Sequence, residues 1–271
     1  MHGSVKLDAY RIDSAERAKL SRFEPDDDGS LERAEAEAAM PDLLARMLDL
    51  QERLFAGRKR SLLIVLQGRD AAGKDGTIKH VMGGFNPLGT RVVAFKAPSE
   101  LERSHDFLWR VHASVPPAGN VTIFNRSHYE DVLVPSILGT QTRKQAAWRL
   151  EHIRSFEALL ADGGTAIVKI FLHISKKEQR ERLQARLDDP EKRWKFDPAD
   201  LQARAEWDRY SELYEMILEG TSTDEAPWYV VPADRKWFRN YVVANIVVRT
   251  LEAMKLRYPD PPPGLAGVTI D

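Results

Sequence analysis

The sequence predicts an α/β fold, a mostly parallel sheet with helices on both faces. Three observations predict it. Short apolar runs without polar alternation recur along the chain, as in strands covered on both sides. Segments with apolar residues at helical spacing lie between them, so that strands and helices alternate. The first apolar run, residues 62–66 (LLIVL), leads through Gln67 into a glycine-rich loop ahead of a helix. In folds of this kind ligands bind beyond the carboxyl ends of the strands.

Taken in order, residues 1–36 are polar with an acidic run at 26–28, and read as an extended arm over the main domain or as disorder. Leu43, Leu44, Met47, Leu50 and Leu54 recur at helical spacing, which predicts a helix over 41–54 with Pro41 in its first turn. After the glycine loop and its helix, 90–95 (TRVVAF) reads as a second buried strand. Ser99 and Glu102 form a capping-box pattern for a helix to about 114, stopped by Pro116 and Pro117. Residues 121–124 are a third strand, 141–160 a helix, 166–172 a fourth strand. Ser175 caps a charged helix to about 187, 188–197 is loop-like, and 198–219 is helical again. A short strand at 228–231 and a helix over 234–258 close the domain. The tail 259–271, rich in proline, is expected to be extended. With no repeat and no convincing linker, 37–258 reads as one domain, with 176–197 as an inserted lid.

Composition narrows the classes. The chain has 271 residues, formal net charge −1 and no cysteine. Whole-molecule charge predicts no polyanion partner, so any basic site must be local. A nucleic-acid partner is not expected, since the basic surplus is confined to one segment and no reading motif appears. Disulfides and thiolate metal sites are excluded. No apolar stretch approaches membrane-spanning length, and the first residues lack a signal-peptide core. A cytoplasmic protein is the expectation.

The chemistry concentrates at Gly68, Arg69, Asp70, Ala71, Ala72, Gly73 and Lys74, which fit G-x-x-x-x-G-K. Small residues let successive N–H groups turn toward a phosphate, and the helix that follows presents its first amides to the same anion. Lys74 adds a mobile positive charge. A Ser or Thr hydroxyl normally follows the lysine to bind Mg²⁺, but here Asp75 and then Gly76 stand there. Two carboxylates among phosphate-binding amides repel an anion unless a cation lies between, so Asp70 is expected to face Mg²⁺ or Mn²⁺.

The third strand ends in Asn125-Arg126-Ser127-His128-Tyr129-Glu130-Asp131. A neighbouring strand in P-loop enzymes commonly ends in an Asp at the metal; Asn125 is a neutral oxygen ligand in that place. Arg126 can pair with phosphate oxygens in fork geometry. Glu130 and Asp131 can bind metal, contact a nucleotide or orient Arg126. His128 and Tyr129 read as packing or hydrogen-bonding groups. Basic side chains outnumber acidic ones over 176–195, where Arg182 and Arg186 share one helical face and Lys192 and Lys195 follow. Next to a P-loop such a segment reads as a lid that neutralises phosphate charge. Arg91 flanks the second strand, where it lines an anion channel or is plain surface. Trp194, Trp207, Trp228 and Trp237 read as packing residues.

Three blocks carry a resemblance: GRDAAGKDGTIKH, then FNRSHYEDVLV, then SKKEQRERLQAR with the downstream WKFDPADL. Together they resemble the family-2 polyphosphate kinases over roughly residues 35–256. The resemblance implies a three-layer α/β/α P-loop kinase fold with a helical lid. It implies metal-dependent phosphoryl transfer between inorganic polyphosphate and nucleotides such as AMP, ADP and ATP, and a homo-oligomer, dimer or tetramer. Asp70 matches the aspartate at the metal, Lys74 the phosphate-binding lysine and Arg126 the arginine after the third strand. Arg182 and Arg186 fall in the lid. The version NRSHYED is similar to the subgroup acting on both nucleoside mono- and diphosphates. An ATP-dependent nucleoside monophosphate kinase and a non-catalytic nucleotide- or polyphosphate-binding regulator are the alternatives.

Overall fold

The computed structural model describes residues 5–12, 18–264 and 268–270. Among these, five strands form one sheet: β1 (Ser61–Gly68), β2 (Thr90–Ala94), β3 (Val121–Asn125), β4 (Thr165–His173) and β5 (Trp228–Pro232). Their order is β2-β3-β1-β4-β5, and every pairing is parallel. The helices are α1 (Arg33–Gly57), α2 (Lys74–His80), α3 (Glu100–Arg103), α4 (Trp109–His112), α5 (Glu130–Ile137), α6 (Arg143–Asp162), α7 (Lys176–Asp188), α8 (Ala199–Ala205), α9 (Trp207–Thr221) and α10 (Lys236–Ala253).

Alternation along the strands builds two cores. Leu62, Ile64 and Leu66 of β1 join Val168, Ile170 and Leu172 of β4 beneath α1, α2 and α10. Leu63 and Val65 join Ile167 and Phe171 beneath α5, α6 and α9. Burial on both faces is why these strands read as unbroken apolar runs. The sheet and its two helical layers are the α/β/α arrangement expected.

Several elements differ from expectation for identifiable reasons. Strand β2 is an edge strand whose Arg91, Val92 and Ala94 are exposed, so it is not buried on both faces. Helix α1 begins upstream of Pro41, because the run Ala34–Ala39 alternates strong helix formers and propagates the helix. Pro41 therefore sits inside it rather than in the first turn. The capping box of Ser99 and Glu102 forms, but the helix stops at Arg103. Ser104 Oγ donates back to the Leu101 carbonyl, and Asp106 Oδ1 accepts from Leu108 N to start a new turn, so side chains compete with the backbone ladder. Helix α5 was not expected. Pro135 leaves the carbonyl of Asp131 without its helical donor, and the Arg149 guanidinium donates to it instead.

The arm packs on the edge of β5. Ile12 N donates to Trp228 O at 2.9 Å, Arg11 bridges Tyr229, and Tyr10, Ile12, Ala18 and Leu20 are buried. Residues 1–4 and 13–17 of the arm, and 265–267 and 271 of the tail, lie outside the described residues.

One charged pair lies wholly inside the core. Lys169 Nζ on β4 donates to Glu157 Oε2 of α6 at 2.5 Å, to Tyr129 Oη at 3.1 Å and to Thr221 O at 2.6 Å. His128 Nε2 lies 3.1 Å from Glu157 Oε1. Burial works to raise the Glu157 pKa, but Lys169 and His128 outweigh it and hold the carboxylate below its usual range. His128 and Tyr129 are thus hydrogen-bonding core groups, as read from sequence. Lys169→Met strands a buried carboxylate and is expected to lower unfolding free energy by about 3–5 kcal/mol in urea titration. Adding Glu157→Leu should recover much of that loss; no recovery would contradict the pairing.

Candidate active site

The carboxyl ends of the strands converge on a cleft of about 1250 Å³. Strand β1 delivers the glycine loop to its floor. Gly73 holds φ +107° before α2, and Ala71 also takes a left-handed conformation at φ +63°. A Cβ on Gly73 would lie 1.9 Å from Arg239 Nη1, so a larger residue would strain the dihedral and displace the end of the Arg239 side chain. Lys74 opens α2 and is buried. Its Nζ donates to Gly68 O at 2.7 Å and Arg69 O at 3.2 Å. Burial lowers its pKa, and Asp70 opposes that.

Strand β3 supplies the adjacent wall. Asn125 Nδ2 donates to Asp75 Oδ1 at 2.9 Å, and Arg126 Nη2 donates to Asp70 Oδ1 at 2.8 Å. Arg126 holds φ +62°, a strained conformation for a residue with a Cβ. Burial works against its charge, but Glu130 and Asp70 outweigh it and raise its pKa. Asp70 and Arg126 also line a smaller cavity of about 80 Å³, shared with Gly68, Arg69, Glu130, Tyr210 and Tyr214. Burial there raises the Glu130 pKa against the pull of Arg126 and Lys74. Arg69 turns away from the cleft. Its guanidinium stacks 3.8 Å from the Trp207 ring centre and donates to Trp207 O and Ser211 Oγ, and burial lowers its pKa to about 10.

Helix α7 closes the third side. Arg182 donates to the carbonyls of Ala71 and Ala72 in the loop and of Ala233 and Asp234 after β5, at 2.7–3.1 Å. Expected as a lid residue, it joins α7 to the loop, where four carbonyls and Glu178 satisfy a side chain only 10% exposed. Arg186, Lys192 and Lys195 line the cleft further out. Arg186 reaches Asp200 Oδ2 at 3.5 Å, and Lys192 reaches Asp189 Oδ2 at 2.5 Å. Burial, and then Asp70, push the Asp200 pKa up to about 6.

Of the site residues read from sequence, Asp70, Ala71, Gly73, Lys74, Asp75, Gly76, Asn125, Arg126, Arg182, Arg186, Lys192 and Lys195 line this cleft. Ala72 is buried behind it. Arg91 does not reach it: it lies near the amino end of β2, and its Nη2 donates to Ala113 O at 3.3 Å. Asp131 faces away into an ion pair with Arg110 at 3.0 Å. Trp194 departs from the packing role, being 78% exposed in the cleft mouth. Sequence reasoning missed Asp200, Lys236 and Arg239. A lone arginine within the apolar run of α10, WFRNYVVANIVV, was the available signal for Arg239.

A buried lysine in a glycine loop, at the carboxyl ends of a parallel sheet, suits the binding of phosphoanhydrides. It marks a P-loop phosphotransferase. More narrowly, the chain belongs to the polyphosphate kinase 2 (PPK2) family, whose family model matches residues 30–259. It is 51% identical over 254 residues to an AMP/ADP-polyphosphate phosphotransferase of Meiothermus ruber, covering 93% of this chain and 95% of that one. It is 40% identical to an ADP-polyphosphate phosphotransferase of Rhodopseudomonas palustris, covering 96% and 94%. The crystal structure of Polyphosphate Kinase 2 from Arthrobacter aurescens TC1 superposes with a TM-score of 0.91 at 41% identity, covering 95% and 92%.

Proposed function

We propose that the chain transfers phosphoryl groups between inorganic polyphosphate and nucleoside mono- and diphosphates, AMP and ADP among them. The observation that carries this reading is one cleft holding both Lys74 in its glycine loop and a set of cations from α7 and α10. Its volume is large enough for two phosphate-bearing substrates. The names of the relatives support the same substrates.

In the direction of nucleotide synthesis, a terminal phosphate oxygen of the nucleotide attacks the terminal phosphorus of polyphosphate. The bond from that phosphorus to the bridging oxygen breaks in line, and the polyphosphate leaves one unit shorter. No covalent enzyme intermediate is required, since positioning and charge neutralisation supply most of the catalysis. Lys74 and the loop amides orient the transferred phosphate. Arg126, held by Asp70, offers its fork to the phosphate oxygens. Arg182 keeps the loop carbonyls turned away from the anion.

The donor set fits a hard divalent cation. Asp70 and Asp75 each have one carboxylate oxygen engaged in the bonds above, which leaves the other oxygen for a cation, and Asn125 retains Oδ1. Mg²⁺ takes one or two carboxylates and completes its shell with water and substrate phosphates. Asp70, with Asn125 or Asp75, would hold Mg²⁺ or Mn²⁺, which would neutralise phosphate charge during transfer.

Among the described residues, no helix is long and apolar enough to cross a membrane. The proposal includes a cytoplasmic setting, which a cysteine-free chain suits, and no nucleic-acid partner, in line with the net charge of −1. It also includes a dimer or tetramer, for which exposed Leu138 and Trp148 offer apolar surface. The test is a donor assay: ADP or AMP with polyphosphate and Mg²⁺, without ATP. Formation of ATP from ADP, or ADP from AMP, is expected. Turnover only when ATP is the donor would identify a nucleoside monophosphate kinase instead.

A further inference from the structure

A glycine loop that turns its N–H groups toward a phosphate turns its carbonyls the other way, and each buried carbonyl needs a donor. Lys74 Nζ serves those of Gly68 and Arg69, and Arg182 serves those of Ala71 and Ala72. The carbonyl of Asp70 falls to Gln179 of α7, whose Nε2 donates to it at 3.0 Å. Gln179 is 2% exposed. The other buried residue of this highly charged helix is Leu183, one turn on along the same face, so an amide stands where an apolar side chain would suit. A buried amide needs both of its ends satisfied. Gln179 Oε1 accepts from Arg204 Nη1 of α8 at 3.1 Å, and the same nitrogen donates to Lys176 O at 2.6 Å. A guanidinium can only donate, so the amide oxygen must face Arg204 and the amide nitrogen must face Asp70.

The peptide held in this way precedes Ala71, whose φ of +63° is unfavourable for a residue with a Cβ. Such a conformation persists only where its surroundings fix it. Here the carbonyls on both sides of it, those of Asp70 and Ala71, receive side-chain donors from α7. Rotation of the peptide would swing the Asp70 carboxylate, and with it the Arg126 guanidinium that donates to Asp70 Oδ1 at 2.8 Å. Gln179, Asp70 and Arg126 line the same small cavity. We propose that Gln179, oriented by Arg204, is a positioning residue that fixes the Asp70 peptide and thereby aims Asp70 and Arg126 at the transferred phosphate. This inference rests on the roles proposed above for those two residues.

The test measures kcat and KM with polyphosphate and ADP for Gln179→Met, which is similar in length but has no donor. Its kcat is expected to fall about tenfold, the size of one lost hydrogen bond. The KM values for both substrates should change by less than about threefold, because the cations that line the cleft remain. Gln179→Glu keeps an acceptor for Arg204 and loses the donor to Asp70 O, so its kcat should fall at least as far. Parental kcat in either variant would overturn the proposal; in the glutamate variant it would leave residue 179 only as an anchor for α8. Arg204→Met frees the amide to turn over and should lower kcat about threefold. Added to Gln179→Met it should cost nothing further, and additive losses would overturn the relay. A loss of rate that follows only the folded fraction in urea titration would overturn it as well. Parental turnover in Asp70→Asn would overturn the roles on which the inference rests. A slow Asp70→Asn beside a parental Gln179→Met would overturn the inference alone.

Discussion

Lys74→Ala is expected to lower turnover by roughly 10²-fold or more, the loss seen when one preorganised charge is removed from a transition-state site. Its ammonium is buried and is held by the carbonyls of Gly68 and Arg69. Those carbonyls are weak partners for a cation, so an incoming phosphate competes well for it. Burial lowers the Lys74 pKa, and Asp70 opposes that. The alanine variant should fold, because the lost bonds are to loop carbonyls that water can reach once a phosphate-sized space opens. Lys74→Arg should not restore activity, since a planar fork does not fit where a compact point charge sits. Steady-state rates with circular dichroism as a folding control make the measurement. Near-parental turnover would remove the loop from the mechanism.

Asp70→Asn is expected to cost a similar factor, roughly 10²-fold in turnover, for a different reason. The carboxylate has two roles in this account: one oxygen holds Arg126 at 2.8 Å, and the other faces the cleft as the proposed cation ligand. Asparagine keeps the shape and loses the charge. The Mg²⁺ concentration giving half-maximal rate should rise by about tenfold or more, as carboxylates even in outer shells shift metal affinity that far. Neighbours should respond too. Asp70 is among the groups that raise the Asp200 pKa, so Asp200 should titrate closer to the ordinary carboxylate range in the variant. An unchanged metal requirement with unchanged turnover would contradict the assignment.

Much of the fold was legible because local signals and burial agreed. Residues 62–66 read as a covered strand and are one, at the centre of the sheet. Ser175 caps α7 as expected, its side chain accepting from Glu178 N at 3.1 Å. What failed depends on partners remote in sequence. The exposure of β2 follows from its place at the sheet edge, which its apolar sequence does not reveal. Helix α5 needed Arg149 to satisfy the carbonyl that Pro135 cannot. The lining of the cleft was legible where a motif spells it, at Asp70, Ala71 and from Gly73 to Gly76, and at Asn125 and Arg126. Arg91 and Asp131 looked equally suitable by residue type, but strand direction and an ion pair with Arg110 take them elsewhere. Arg239 was hidden for the opposite reason. Its charge lies in a helix whose pattern is that of core, and only the packing of α10 against the glycine loop brings it to the cleft.

The most direct measurement is a crystal structure of the protein with ADP, Mg²⁺ and a polyphosphate fragment bound. The account predicts one continuous run of phosphates through the cleft. The nucleotide end should lie at Arg126 with the cation at Asp70, and a polyphosphate unit at Lys74. A fragment seated outside this cleft, or a nucleotide filling the glycine loop with polyphosphate nowhere in reach of Lys74, would contradict it.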